Sequence, residues 1–155
     1  MKSLLHLVCL TTTLCFSALA TGQSQFALNQ SFAALYEQEL GSTQKCLSSS
    51  ANRYAVCSPA LRGDGNAPFI LFQQADSPIV VLTHGLSDSP FFVSAIADEL
   101  YHSGYTVIAP LLPGHGLKDA DAAMEDAQLA ERWQAHLAEV VELALQSTEK
   151  VVSVS

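Results

Sequence analysis

Beyond Pro78 the chain alternates short apolar runs with longer segments in which apolar residues recur every three or four positions. The short runs are IVVLTH (79–84), YTVIA (105–109) and VVSVS (151–155). They are β-branched and largely apolar, the composition of strands covered on both faces. Between the first two, a helix has a start and a stop: Ser89 can cap it, Pro90 suits the first helical position, and Gly104 fits just past the end. Phe92, Ile96 and Leu100 share one face of that helix. Between the second and third runs, EDAQLAERWQAHLAEVVELALQ lays Leu129, Trp133, Leu137, Val140, Val141 and Ala144 along one stripe, with acids early, where they suit the helix dipole. Strand, helix, strand, helix, strand predicts an α/β fold with a mostly parallel sheet, right-handed crossovers and helices on both faces.

Upstream the pattern is less regular. SFAALYEQEL (31–40) reads as a short helix with Phe32, Leu35 and Leu40 on one side, followed by the Ser-rich GSTQKCLSSSAN. In LRGDGNAPFILF (61–72), Gly63 to Asn66 separate two apolar stretches and predict a turn joining two strands. The first twenty residues combine Lys2, an apolar run and the ending Ala18-Leu19-Ala20, the layout of a signal peptide cleaved after Ala20. Thr11, Thr12 and Thr13 interrupt that run, which falls short of the ~20 apolar residues of a membrane span. The expected organisation is a leader over 1–20, an N-terminal extension with the first strands over 21–68, and an α/β domain over 69–155. The leader implies an exported protein, periplasmic or secreted, with no stable membrane span after cleavage.

Charge and cysteine content narrow the chemistry. Seven Lys or Arg face 15 Asp or Glu, a formal net charge of -8, and no basic patch is present, so nucleic acid is not an expected partner. Cys46 and Cys57 are the cysteines that remain after the leader, and an oxidising compartment favours their pairing. Neither a CxxC pair nor a metal-ligand spacing exists; His84, Asp88 and His115 match no metal motif, and no metal or cofactor is expected. Adjacent Asp98 and Glu99 point apart on a helix and read as a solvated face, and Trp133 reads as core.

Ligands of an open parallel sheet bind beyond the carboxyl ends of its strands, where the loops converge. Two such loops are HGLSDSP (84–90) and PLLPGHG (110–116). Gly85 permits a sharp turn that can direct the Leu86 amide into a cleft, where it would stabilise an oxyanion. An ordinary strand-to-helix loop is the other reading of the same residues. A phosphate cradle is disfavoured, because GLSDSP matches neither GxGxxG nor a P-loop.

Apolar strand, HGLSDSP, helix, GYTVIAPLLPGHG and a long helix, in that order, resemble the N-terminal half of an α/β-hydrolase. The resemblance covers about Phe69 to Ser155 and is nearest to serine esterases, monoacylglycerol-lipase-like and serine aminopeptidase-like proteins. It implies that Leu86 supplies one oxyanion amide, that His84, Gly85 and Ser87 form its loop, and that Pro113, Gly114, His115 and Gly116 border the cleft. It further implies a carboxylic ester or lipid ester substrate, cleaved through an acyl-serine without a cofactor. The departure is large: in that family the nucleophile sits in GxSxG after the strand that KVVSVS resembles, with Asp or Glu and then His further on. No GxSxG is present, His84 and His115 lie upstream of its place, and Ser87 and Ser89 lack the strained elbow. No catalytic residue is therefore assigned within these 155 residues. The expectation is a chain that stops before the nucleophile elbow, is inactive alone, and continues in the intact gene into Gly-x-Ser-x-Gly. The competing expectation is a non-catalytic secreted binding module built on the half-sheet.

Overall fold

The three apolar runs form the parallel part of a six-stranded sheet. The computed structural model describes residues 25–155; the expected leader lies outside them. In chain order the strands are β1 (Gln44–Lys45), β2 (Arg53–Cys57), β3 (Phe69–Leu71), β4 (Ile79–Leu82), β5 (Thr106–Ala109) and β6 (Val151–Val154), and across the sheet they run β1-β2-β3-β5-β4-β6. β4 is parallel to β5 and to β6, with Val80 beside Val107 on one side and Val152 on the other. The pairs β1–β2, β2–β3 and β3–β5 are antiparallel, so three of the five pairings depart from the expected mostly parallel arrangement and the sheet is mixed: strands joined by short turns and loops before β4 pair antiparallel, and only those joined through helices pair parallel. Every residue of β3, β4 and β5 is buried, as their lack of a polar face predicts, but β6, expected to be covered on both faces like them, is not: it is the edge strand beside β4, with Val152 and Val154 exposed.

Residues 25–34 form helix α1, followed by α2 (Glu37–Leu40), α3 (Pro90–His102), α4 (Ala120–Met124) and α5 (Leu129–Ser147). The connection β4–α3–β5 moves one way along the sheet and β5–α5–β6 the other, so right-handed crossovers place α3 and α5 on opposite faces. Leu28, Phe32, Tyr36 and Leu40 recur at four-residue spacing and are all buried in the core with Phe69, Ile70 and Ile108. The expected Cys46–Cys57 disulfide is present, with the Cα atoms 5.0 Å apart.

Four local expectations change. Ser89 precedes α3 and its carbonyl accepts the first helical bond from Phe92, but its hydroxyl makes no cap bond and donates instead to Asn66 Oδ1 at 2.8 Å. The buried side of α3 carries Pro90, Val93, Ala97, Leu100 and Tyr101, whereas Phe92 and Ile96 are 63% and 54% exposed. Small Ala97 lets the helix lie close to the sheet, which turns the bulkier apolar stripe outward. The buried stripe of α5 includes His136 and Leu143 in addition to Leu129, Val140 and Ala144, while Trp133 is only half-buried. In LRGDGNAPFILF only Phe69–Leu71 is a strand; Leu61 makes an isolated bridge to Leu117, and Asp64–Asn66 is a 3-10 turn. Gly104 does end α3, with φ of 97° in the left-handed region.

Candidate active site

The loop leaving β4 turns at once: Asp88 N–H donates to the Gly85 carbonyl at 3.1 Å. Gly85 itself does not have a positive φ. Its small size serves a close approach instead, since a Cβ there would lie 2.9 Å from Asp88 Oδ2. The Gly85 carbonyl also accepts from Nδ1 of His84 at 2.9 Å. Because the Gly85–Leu86 peptide is trans, its N–H points opposite to that carbonyl. The Leu86 N–H makes no hydrogen bond among the described residues, and the Leu86 side chain is 68% exposed.

The second loop, 110–116, is buried throughout, and its backbone is held by side chains. Leu111 N–H donates to Tyr36 Oη at 3.1 Å, Leu112 N–H to His84 Nε2 at 3.1 Å, and Gly114 N–H to Glu39 Oε1 at 2.9 Å. Pro113 C=O accepts from Trp133 Nε1 at 2.9 Å. Gly114 and Gly116 have φ of 81° and 64°, a region where a side chain is strained, which is why this loop needs both glycines. Glu39 is itself paired with Arg132, whose other nitrogen bonds Asp126 at 2.7 Å. Mutual hydrogen bonding holds the Asp126 carboxyl below and the Arg132 guanidinium above their ordinary ranges.

Between the loops lies a cleft of about 410 Å³ whose apolar wall is Leu86, Met124, Leu129 and Trp133, with Arg62, Ser87, Asp88 and His115 as polar lining. A separate cavity of about 350 Å³ lies around Glu39, Arg132, His136 and Glu139 and does not include Leu86 or His84. The structure thus brings together Leu86, Ser87, His115 and Gly116 at one cleft. His84 and Gly114 stand behind it as supports. Neither histidine is free to act as a base for Ser87. His84 spends both nitrogens on Gly85 and Leu112, and His115 faces Leu86 O at 2.6 Å and Pro113 O at 3.1 Å. Among the described residues, no group of three or more His, Cys, Asp or Glu is placed to hold a metal ion. No helix among them is long and apolar enough to cross a membrane.

Sequence reasoning missed four residues here. Trp133 and Met124 were expected, respectively, as core and not at all; Tyr36 and Glu39 act from 75 residues upstream of the amides they hold. The only hint in the sequence is that Glu39 and Tyr36 stand three apart, on one side of a helical stretch.

Burial holds the His84 and His136 pKa values below the ordinary 6.5, although the Gly85 contact of His84 and the acids Glu139 and Glu39 near His136 oppose the shift. In the unfolded chain both rings take up a proton as pH falls through about 6.5; in the native state they do so only at lower pH. Stability contributed by the two neutral rings is complete above that value and declines below it, by at most about 1.4 kcal/mol per pH unit for each histidine. Urea unfolding at about pH 7.5 and about pH 5.5 should show the loss, and His136→Gln should reduce it. Equal midpoints at the two pH values would contradict this assignment.

A scan against protein-family models returns no match, and neither does a search of curated proteins. Among solved structures, one described as LipS and LipT, two metagenome-derived lipolytic enzymes, is similar at 25% identity and a TM-score of 0.46. The match covers 54% of this chain and 33% of that one, so this chain aligns with about a third of that structure's length. At that score the likeness bears on neither mechanism nor substrate.

Proposed function

We propose that this chain is the oxyanion half of an exported serine hydrolase of the α/β-hydrolase type, acting on a carboxylic or lipid ester. Residues 69–155 are its catalytic-domain portion and residues 21–68 an N-terminal extension, from which Tyr36 and Glu39 brace the second loop. The observation that carries the reading is the Leu86 N–H: unpaired, directed by a pinned peptide, and set beside an apolar-walled cleft beyond the ends of parallel strands. Export agrees with the Cys46–Cys57 disulfide.

The nucleophile is a serine carried after β6. Val154 stands beside Leu82, and its carbonyl accepts Thr83 N–H at 2.8 Å, so a residue following β6 emerges alongside the loop that holds Leu86. Val152 and Val154 are 54% and 46% exposed on that strand, a surface that a following element would cover. In the reaction, the serine Oγ attacks the ester carbonyl and its proton passes to a base. The resulting oxyanion is held by Leu86 N–H, and the C–O bond to the alcohol breaks with the proton returned to that alcohol. Water then attacks the acyl-serine, releasing the acid and restoring the serine. The 155 residues alone lack that nucleophile and hydrolyse nothing by this route.

The test compares the intact gene product with residues 21–155 on p-nitrophenyl esters of graded acyl length and on labelling by a fluorophosphonate. Turnover and labelling are expected only from the intact product, at a serine within Gly-x-Ser-x-Gly, and Ser87→Ala should leave both unchanged. Turnover by the shorter chain that Ser87→Ala abolishes would make Ser87 the nucleophile. An open reading frame past codon 155 with no serine elbow would favour a non-catalytic binding module.

A further inference from the structure

We infer that His84 and His115 form a reciprocal clasp that aims the Leu86 amide, and that both are positioning residues of the proposed oxyanion site. Its catalytic consequence rests on the hydrolase reading; its geometry does not. Each histidine belongs to one loop and bonds the backbone of the other. His84, at the end of β4, accepts Leu112 N–H from the second loop, and His115, in the second loop, meets the Leu86 carbonyl of the first at 2.6 Å. The two rings lie 4.9 Å apart, and both side chains are buried.

The partners dictate the proton positions. A backbone amide only donates, so His84 Nε2 must be a bare acceptor and the ring proton must sit on Nδ1, where it meets the Gly85 carbonyl at 2.9 Å. A carbonyl only accepts, so the short contact to Leu86 requires the His115 proton on Nε2. A neutral ring has one N–H, so with the proton on Nε2 for the shorter contact His115 Nδ1 donates nothing to Pro113 C=O at 3.1 Å, which takes its hydrogen bond from Trp133. The two peptide planes that flank Leu86 are thereby fixed one by one: the Gly85–Leu86 plane by His84 and Asp88, and the Leu86–Ser87 plane by His115.

The contrast in exposure explains why such a device is needed. Gly85, Leu86 and Ser87 are all exposed, and a short exposed loop sampling several backbone states would present its amide in the right direction only part of the time. Two buried imidazoles, anchored on a loop that Tyr36 and Glu39 also hold, remove that freedom from the inside and leave the outer side open to substrate. An aromatic ring without nitrogens would fill the same space yet leave the buried Leu112 N–H unpaired.

The experiment uses the intact gene product with 15N-labelled histidine. Long-range 1H–15N correlation should find His84 protonated on Nδ1, with Nε2 shifted as an acceptor, and His115 protonated on Nε2. His84 carrying its proton on Nε2 would overturn the clasp regardless of activity. On ester substrates, His84→Phe and His115→Phe should each lower kcat about 10- to 100-fold, less than the ~10²–10³-fold of losing an oxyanion donor outright. KM should move by less than about threefold, the split expected of a group that acts only on the transition state. His84→Gln, whose amide oxygen can accept Leu112 N–H, should recover part of the loss. Phenylalanine variants that fold and keep the parental kcat would overturn the positioning role. The expected tautomers in a protein without ester turnover would uphold the clasp and sink the hydrolase reading.

Discussion

Replacing Tyr36 by alanine is expected to cost about 4–6 kcal/mol, the largest single-residue loss among the substitutions considered. Tyr36 is 1% exposed and fills the space between α1, α2 and α5, with its ring edge-on to Phe32 and to His136, each at 5.2 Å. Truncation removes that volume and two polar contacts together. The hydroxyl accepts Leu111 N–H at 3.1 Å and lies 3.3 Å from His136 Nε2, to which it can donate. Burial pushes the phenol pKa well up, so the proton needed for that donation stays in place. Tyr36→Phe separates the two contributions: it keeps the ring and orphans the Leu111 amide, for a loss of about 1–3 kcal/mol. Because a domain holds only about 5–15 kcal/mol in total, the alanine variant should yield little soluble protein while the phenylalanine variant remains measurable by urea unfolding. A phenylalanine variant within about 0.5 kcal/mol of the parent would show that the hydroxyl holds nothing.

Removing the disulfide ranks next. Cys46 and Cys57 close a loop with a sequence separation of 11, for which loop-closure entropy predicts about 3 kcal/mol. The effect should not stay local. Cys57 ends β2, and the next residue, Ser58, donates its hydroxyl to the Leu40 carbonyl at 2.7 Å, fastening the end of the short helix that carries Glu39. Cys46→Ala with Cys57→Ala is the cleaner test, since both cysteines are buried and a reductant reaches them poorly. A fall in Tm of roughly 10 °C is expected for a chain of this size. A change under about 2 °C would mean that β1 and β2 hold their register without the link.

What could be read from the chain follows from which forces are local. β4, β5 and β6 were legible because Ile79 to Leu82, Thr106 to Ala109 and Val151 to Val154 are mostly β-branched and largely apolar, a property of each run by itself. Of the antiparallel half only β3 was legible, as the apolar end of LRGDGNAPFILF; β1 is two residues long and β2 gains its strand character from pairing with β3. Alpha-helix faces were legible as apolar stripes but not as inward or outward. On α3, packing selected the stripe of Val93 and Ala97 over that of Phe92 and Ile96, a choice made by the closeness of the sheet. His136 carries no core signal in the sequence, because a polar residue on a stripe reads as an interruption until its partner, Tyr36, is known. The turn at Gly85 is legible in the sequence, and Asp88 N–H closes it; the bonds from His84 to Leu112 and from His115 to Leu86 are not, since they join residues 28 and 29 apart.

The span between the second loop and the side chains that hold it also has a kinetic meaning. Tyr36 to Leu111 and Glu39 to Gly114 each close 75 residues of chain, and such long closures incur their entropy before any contact rewards it. The parallel pairing of β4 with β5 and the packing of α3 between them close far shorter segments and should be in place earlier. Tyr36→Phe should therefore leave the refolding rate nearly unchanged and express its cost as faster unfolding. The bracing of the second loop should then assemble late, with the comparably distant pairing of β4 with β6, so an acceleration of unfolding at Tyr36 measures how long that bracing survives.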